Sequence, residues 1–187
     1  DGINASSTFT INGGYVCGLA TKNDGLDANG NFYVNGGVVY AAGSSSPEVA
    51  LDANTEAGYK LYVNGGTLIA IGGLESGSSL SQSCYQASSW SQNTWYELTV
   101  GTAIYAFKTP SSAGSPLVVS GGSTPTLKSS VTVNNGDSCF EGLFYTNANT
   151  NGGQSVSLSS YAGGNGNNPG GGNIPGGGGH GPGGGPF

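Results

Sequence analysis

Short strings of alternating apolar and polar residues recur along the first part of the chain. Phe9-Thr10-Ile11, Phe32-Tyr33-Val34 and Leu61-Tyr62-Val63 each lead into Asn-Gly-Gly, at Asn12, Asn35 and Asn64. Alternation with period two marks a half-buried strand. Asn-Gly supplies the positive φ angles of a tight corner at little steric cost. The corners lie 23 and then 29 residues apart. Two other sets of positions recur with the repeat: Ile3/Ala5, Leu26/Ala28 and Leu51/Ala53, 23 and then 25 residues apart, and Val16/Gly18, Val39/Ala41 and Leu68/Ala70, 23 and then 29 apart. Three short strands per repeat, turning at glycine corners, predict a three-sided tube, a parallel β-helix over residues 1–76 with Phe9, Phe32 and Leu61 stacked inside. A hairpin array in a sandwich would also alternate, but near-identical corners argue for the tube. Stacked Asn side chains are expected to hydrogen-bond from one coil to the next. The insertions Thr55–Tyr59 and Gly43–Pro47 fall at corners, where a solenoid carries its loops.

Beyond Gly77 the period is lost. Ser78–Ser83 reads as a polar bridge. Strand signals follow at Thr94–Val100, Ala103–Lys108, Pro116–Ser120, Ser130–Val133, Cys139–Tyr145 and Ser155–Tyr161, bounded by Gly, Pro, Asn or Ser. Residues 77–162 are therefore expected to form a small antiparallel sheet that continues or caps the tube, since a last coil would otherwise expose unpaired backbone. From 163 to 187 the chain is almost entirely Gly, Asn and Pro and reads as a flexible tail.

Composition narrows the function. Only 7% of the 187 residues are charged, there is no arginine, and the formal net charge is −6. Four lysines cannot neutralise a run of phosphates, which argues against a nucleic-acid partner. No apolar run is long enough to span a membrane. His180, the single histidine, stands in the tail, so no Ser-His-Asp set is credible and no enzyme is expected. Low charge with abundant Ser, Thr, Asn, Gly and Tyr suits an extracellular or cell-surface protein. No signal peptide is visible, and Asp1 opens within a repeat, which reads as a processed or trimmed chain. Its first strands then offer an uncovered edge for end-to-end pairing with another copy. Of the three cysteines, Cys84 and Cys139 both follow the repeats and are the expected disulfide. Cys17 is left as a small buried hydrophobe or a link to another chain.

At Asp-Gly-(Leu/Ile)-(Asp/Asn)-Ala followed by (Ile/Val)-Asn-Gly-Gly, residues 1–76 resemble a family of secreted, calcium-binding, right-handed β-helix proteins from polysaccharide-degrading bacteria. The resemblance implies non-catalytic binding of plant-type or acidic polysaccharide, with Ca²⁺ held between coils. The third repeat departs from the motif, carrying Val49-Ala50 in place of Asp-Gly. Asn4, Asp27 and Asp52 share one repeat position, and Asp1 and Asp24 another. Carboxylates stacked about 4.8 Å apart repel. Bound Ca²⁺ relieves that with hard oxygen ligands from these five residues; a solvated Asn/Asp ladder is the other solution. Tyr33, Tyr62, Trp90 and Trp95 are the candidate sugar platforms, against packing on a loop or the cap. Asn4-Ala5-Ser6 is an N-glycosylation sequon. Two functions follow: a self-assembling subunit of an extracellular fibre, or a carbohydrate-binding module.

Overall fold

The structure, a computed structural model, describes residues 1–163; all of the Gly/Pro-rich tail except Gly163, and with it His180, lies outside the described residues. The protein is all-β. The first repeat gives β1 (Ile3–Ala5), β2 (Phe9–Ile11) and β3 (Tyr15–Leu19); the second gives β4 (Leu26–Ala28), β5 (Phe32–Val34) and β6 (Val38–Ala42); the third gives β7 (Leu51–Ala53), β8 (Leu61–Val63) and β9 (Thr67–Ile71). Equivalent strands pair parallel, in the register that the repeat predicts: Ile3 with Leu26 with Leu51, Phe9 with Phe32 with Leu61, and Val16 with Val39 with Leu68. Three parallel sheets result, β1-β4-β7, β2-β5-β8 and β3-β6-β9, and their inward residues form one apolar cluster. Leu26, Phe32, Val39, Leu51, Leu61 and Leu68 in that cluster are all fully buried. Phe9 stacks on Phe32 with ring centroids 4.6 Å apart.

The corners explain the Asn-Gly-Gly repeat. Gly37 and Gly66 take φ of +83° and +88°, a region side chains rarely adopt. A Cβ on Gly66 would also lie 2.8 Å from the carbonyl oxygen of Gly37, so successive corners stack too closely for any side chain. Beside them, Asn35 Nδ2 donates to Asn12 Oδ1 and Asn64 Nδ2 to Asn35 Oδ1, each at 2.9 Å.

The remaining strands are β10 (Ser79–Leu80), β11 (Cys84–Ala87), β12 (Trp95–Val100), β13 (Ala103–Lys108), β14 (Leu117–Ser120), β15 (Thr126–Cys139), β16 (Phe144–Val156) and β17 (Ser159–Tyr161). They both continue the parallel sheets and build something new. β10 adds parallel to β8, so the expected polar bridge carries a strand. β14, β11 and β17 add to β9 antiparallel, extending the third sheet to six strands. β12, β13, β16 and β15 pair in a closed ring. Three expected strands come out differently. Ser130–Val133 is the middle of the 14-residue β15. Cys139–Tyr145 is broken by a helical turn at Phe140–Gly142, where Phe140 and Glu141 take φ of 51° and 54°. Ser155–Tyr161 is divided between β16 and β17.

The third sheet is buried on both faces. Val39, Ala41, Leu68 and Ala70 face the first cluster, whereas Tyr40, Ala42, Ile69 and Ile71 face a second cluster shared with Leu98, Phe107, Leu127 and Phe144 of the ring. The Tyr40 hydroxyl donates to the carbonyl of Lys108 at 2.6 Å, closing that contact.

The Cys84–Cys139 disulfide expected from the sequence is not formed; all three cysteines are free thiols. Cys84 is buried in the first cluster and Cys139 packs on the second, so the two side chains belong to different cores. Burial pushes the Cys17 thiol up to about 11, which suits an inert packing residue. Among the described residues, no helix is long and apolar enough to cross a membrane.

Candidate functional site

The first candidate is the acidic row on the β1-β4-β7 sheet. Register places Asn4, Asp27 and Asp52 side by side, as the repeat predicts. Leu74 bridges Leu51 in parallel, which brings Glu75 next to Asp52 as a further rung. Asn4 Nδ2 donates to Asp27 Oδ2, and to Asp1 Oδ2 at 3.2 Å. Asp24 sits just before β4 and accepts from the backbone N–H of Val49 at 2.7 Å. Burial, only partly offset by that bond, and the nearby carboxylates of Glu48 and Asp27 push Asp24 up to about 6. Burial, a hydrogen bond with Glu75 and its charge, then Asp24 and Asp27, push Asp52 up to about 9. Its neutral form is thereby favoured, hydrogen-bonded to Glu75. Thr55 Oγ1 fixes the other side of Glu75, donating to Oε1 at 3.0 Å.

Glu48 and Glu75 are absent from the sequence reading of this row. Glu75 had a signal: Leu74-Glu75 repeats the apolar-acidic pairs Leu26-Asp27 and Leu51-Asp52. Glu48 has no counterpart in the other repeats, and only the fold brings it to Asp24. Of the expected calcium ligands, Asn4, Asp27 and Asp52 stack in a row along the sheet, with Asp1 bonded to Asn4 and Asp24 just before β4. Among the described residues no group of three or more His, Cys, Asp or Glu that could hold a metal ion is found. Asn4 of the sequon is exposed, but its amide already serves Asp1 and Asp27.

Of the candidate sugar platforms, Tyr33 and Tyr62 are brought together, while Trp90 and Trp95 have other partners. Tyr33 and Tyr62 pair on the outer face of β5 and β8 with centroids 4.8 Å apart and planes 11° from parallel, so each covers one face of the other. Trp90 packs against the second cluster, and its Nε1 donates to the Gly114 carbonyl at 2.8 Å. Trp95 packs on Tyr145 at 5.6 Å.

The structure offers a different aromatic site. Gly14, Gly37 and Gly66 stack into the floor of a groove of about 490 Å³. Val38 and Thr67 N–H groups donate to the carbonyls of Gly14 and Gly37 at 2.9 and 2.8 Å, which keeps this floor regular. Tyr15, 54% exposed, and Tyr105 line it together with Gln82. Tyr105 is backed by Phe144 at 5.9 Å. Gln82 is held from below, its Nε2 donating to Gly66 O and Ser120 Oγ, each at 2.8 Å, which leaves Oε1 as an acceptor. The hydroxyls of Tyr15 and Tyr105 make no hydrogen bond to another described residue. This groove was missed because Tyr15 and Tyr105 lie far apart in the chain and only one of them belongs to a repeat.

The other charged cluster is structural. Glu97, buried in the ring, pairs with Lys128 at 2.9 Å and accepts from Thr150 Oγ1. Burial alone would raise its pKa, but these bonds and the Lys128 charge outweigh it and hold the carboxyl below its ordinary value.

No protein-family model, curated protein or solved structure matches the chain. The groove thus combines a floor of small backbone corners with the open acceptor of Gln82 and two flanking tyrosines.

Proposed function

We propose that the chain is a non-catalytic, extracellular carbohydrate-binding module. Its repeats are read as coils of a right-handed parallel β-helix, and β12, β13, β15 and β16 as the cap of one end. The observation that carries this reading is the groove along the glycine corners, with Tyr15 and Tyr105 presented on a rigid floor. Tyrosine supplies a large amphipathic contact area at low entropic cost, and a concave site with aromatic side chains and a few fixed polar groups is a usual form of a ligand site. Pull-down on a panel of insoluble polysaccharides tests it. The intact chain is expected to be retained by at least one of them, and Tyr15→Ala together with Tyr105→Ala to release it. Retention unchanged in the double variant would overturn this location.

A second reading, a subunit that stacks on copies of itself, takes its support from the outermost position of β1, β2 and β3 in their sheets, with Ile3 38% exposed. Such an edge invites strand pairing. Thr10→Pro would then shift the sedimentation profile from assembled to monomeric; a chain that is monomeric before the substitution removes this reading.

A further inference from the structure

We infer that the groove takes an uncharged, extended glycan chain, and that this binding needs no divalent cation. The inference rests on the carbohydrate reading and adds the class of ligand. Three cavities adjoin. The first, of about 490 Å³, shares Gln82 and Gly122 with a second of about 440 Å³. The second shares Ser83 and Tyr85 with a third of about 390 Å³. The shared residues make one track that starts at Tyr15, passes Tyr105 and Tyr85, and ends beside Tyr161. A track of this extent suits a polymer, because a single sugar would fill one cavity and leave the others to water.

The chemistry of the walls selects the polymer. They consist of glycines, hydroxyl groups of Ser, Thr and Tyr, amides of Asn64 and Gln82, and a few apolar side chains. Among the described residues, no Asp, Glu, Lys or Arg lines any of the three cavities. A carboxylated or sulfated chain entering here would be desolvated without a cation to pair it, which is costly. It would also approach a protein of formal net charge −6. A neutral sugar asks only for hydrogen-bond donors and acceptors at its hydroxyls and for flat surface at its C–H faces. Tyr15, Tyr85 and Tyr105 supply both, and their hydroxyls are free of bonds to other described residues. Calcium has no part in this, since the residues of the acidic row do not line the track and β4 and β7 belong to another sheet.

The test is calorimetric titration of the intact chain with two series of oligosaccharides of increasing length, one neutral and one built of uronic acids. Each is run in millimolar calcium and in EDTA. Expected are binding of a neutral series, affinity rising from disaccharide to hexasaccharide, no change with EDTA, and a loss of about tenfold or more in Tyr15→Ala. Tyr85→Ala is expected to weaken the hexasaccharide more than the disaccharide. Tyr59→Ala, an exposed tyrosine away from the track, controls for surface effects. Binding of uronic acid chains in preference to neutral ones, or binding abolished by EDTA, would overturn this inference and leave the carbohydrate reading standing. Equal affinity for disaccharide and hexasaccharide would overturn the continuous track. Binding of neither series would overturn both readings.

Discussion

Neighbouring residues on β5 give the sharpest test of the architecture. Phe32 is fully buried in the first cluster, while Tyr33, one residue on, is only half-buried on the outer face. Phe32→Ala removes a ring that stacks on Phe9 at 4.6 Å and leaves a cavity between Phe9 and Leu61, its register partners. Truncations of this kind cost about 3–5 kcal/mol, with the spread set by how far the site collapses. Stacked parallel strands on either side limit collapse here, so the upper half of that range is expected. Tyr33→Ala forfeits the stacking on Tyr62, about 0.5–1.5 kcal/mol, with a modest further loss of partly buried surface. For a chain of this size about 1 kcal/mol moves Tm by roughly 2–4 °C. Phe32→Ala should therefore melt about 8–20 °C below the parent and Tyr33→Ala about 2–6 °C below it. Urea denaturation followed by circular dichroism, with the slope compared between variants, separates a change in stability from a change in the unfolded state. Equal losses in the two variants, or a loss below about 1 kcal/mol for Phe32→Ala, would refute the assignment of inner and outer faces.

The acidic row predicts a pH dependence of definite sign. Asp52 and Asp24 have raised values in the folded protein, about 9 and about 6, so their contribution is full below the unfolded value near 4 and is lost as pH rises through those values. Between pH 5 and pH 9 the parent should lose stability, and Asp52→Asn should flatten the slope; an unchanged slope would sink the raised value of Asp52. Glu97 works with the opposite sign, its contribution fading only as pH falls below the ordinary carboxylate range. Hydrogen bonds from Asn4, Val49 and Thr55 already engage oxygens of the row, so melting in EDTA and in millimolar calcium is expected to coincide; a rise in Tm with calcium would make Asp24, Asp27 and Asp52 ligands. Thiol titration of the non-reduced, unfolded chain should find all three cysteines free; a single reactive thiol, with a non-reduced peptide map joining Cys84 to Cys139, would restore that bridge.

The parallel strands were legible because each repeat presents the same answer at every level. Alternation, corner glycine and Asn ladder all agree on the register of Phe9, Phe32 and Leu61. The signal weakens where a strand is buried on both faces. Val38–Ala42 and Thr67–Ile71 are nearly continuous apolar runs, and that lost alternation was itself the mark of a second core behind them. Downstream, β15 and β16 are long, polar and rich in Gly and Asn, so pattern alone placed their ends poorly. The acidic row was half visible, since register positions repeat but the partners from loops do not. The groove was invisible, because it needs Tyr105 and Gln82 brought beside corners from three repeats. The disulfide failed for a related reason: order along the chain says nothing about which core a cysteine joins.

The stacked glycine corners have a consequence for how such a chain can change. Every repeat adds one strand to each of three sheets and one corner to the groove floor. Duplicating a whole repeat would lengthen that floor by about 4.8 Å, the spacing of neighbouring strands. Neither β1–β3 at one end nor the antiparallel strands at the other would need new partners. The number of repeats then works as a ruler: copy number sets the span of surface along the floor, while the ring of β12, β13, β15 and β16 stays constant.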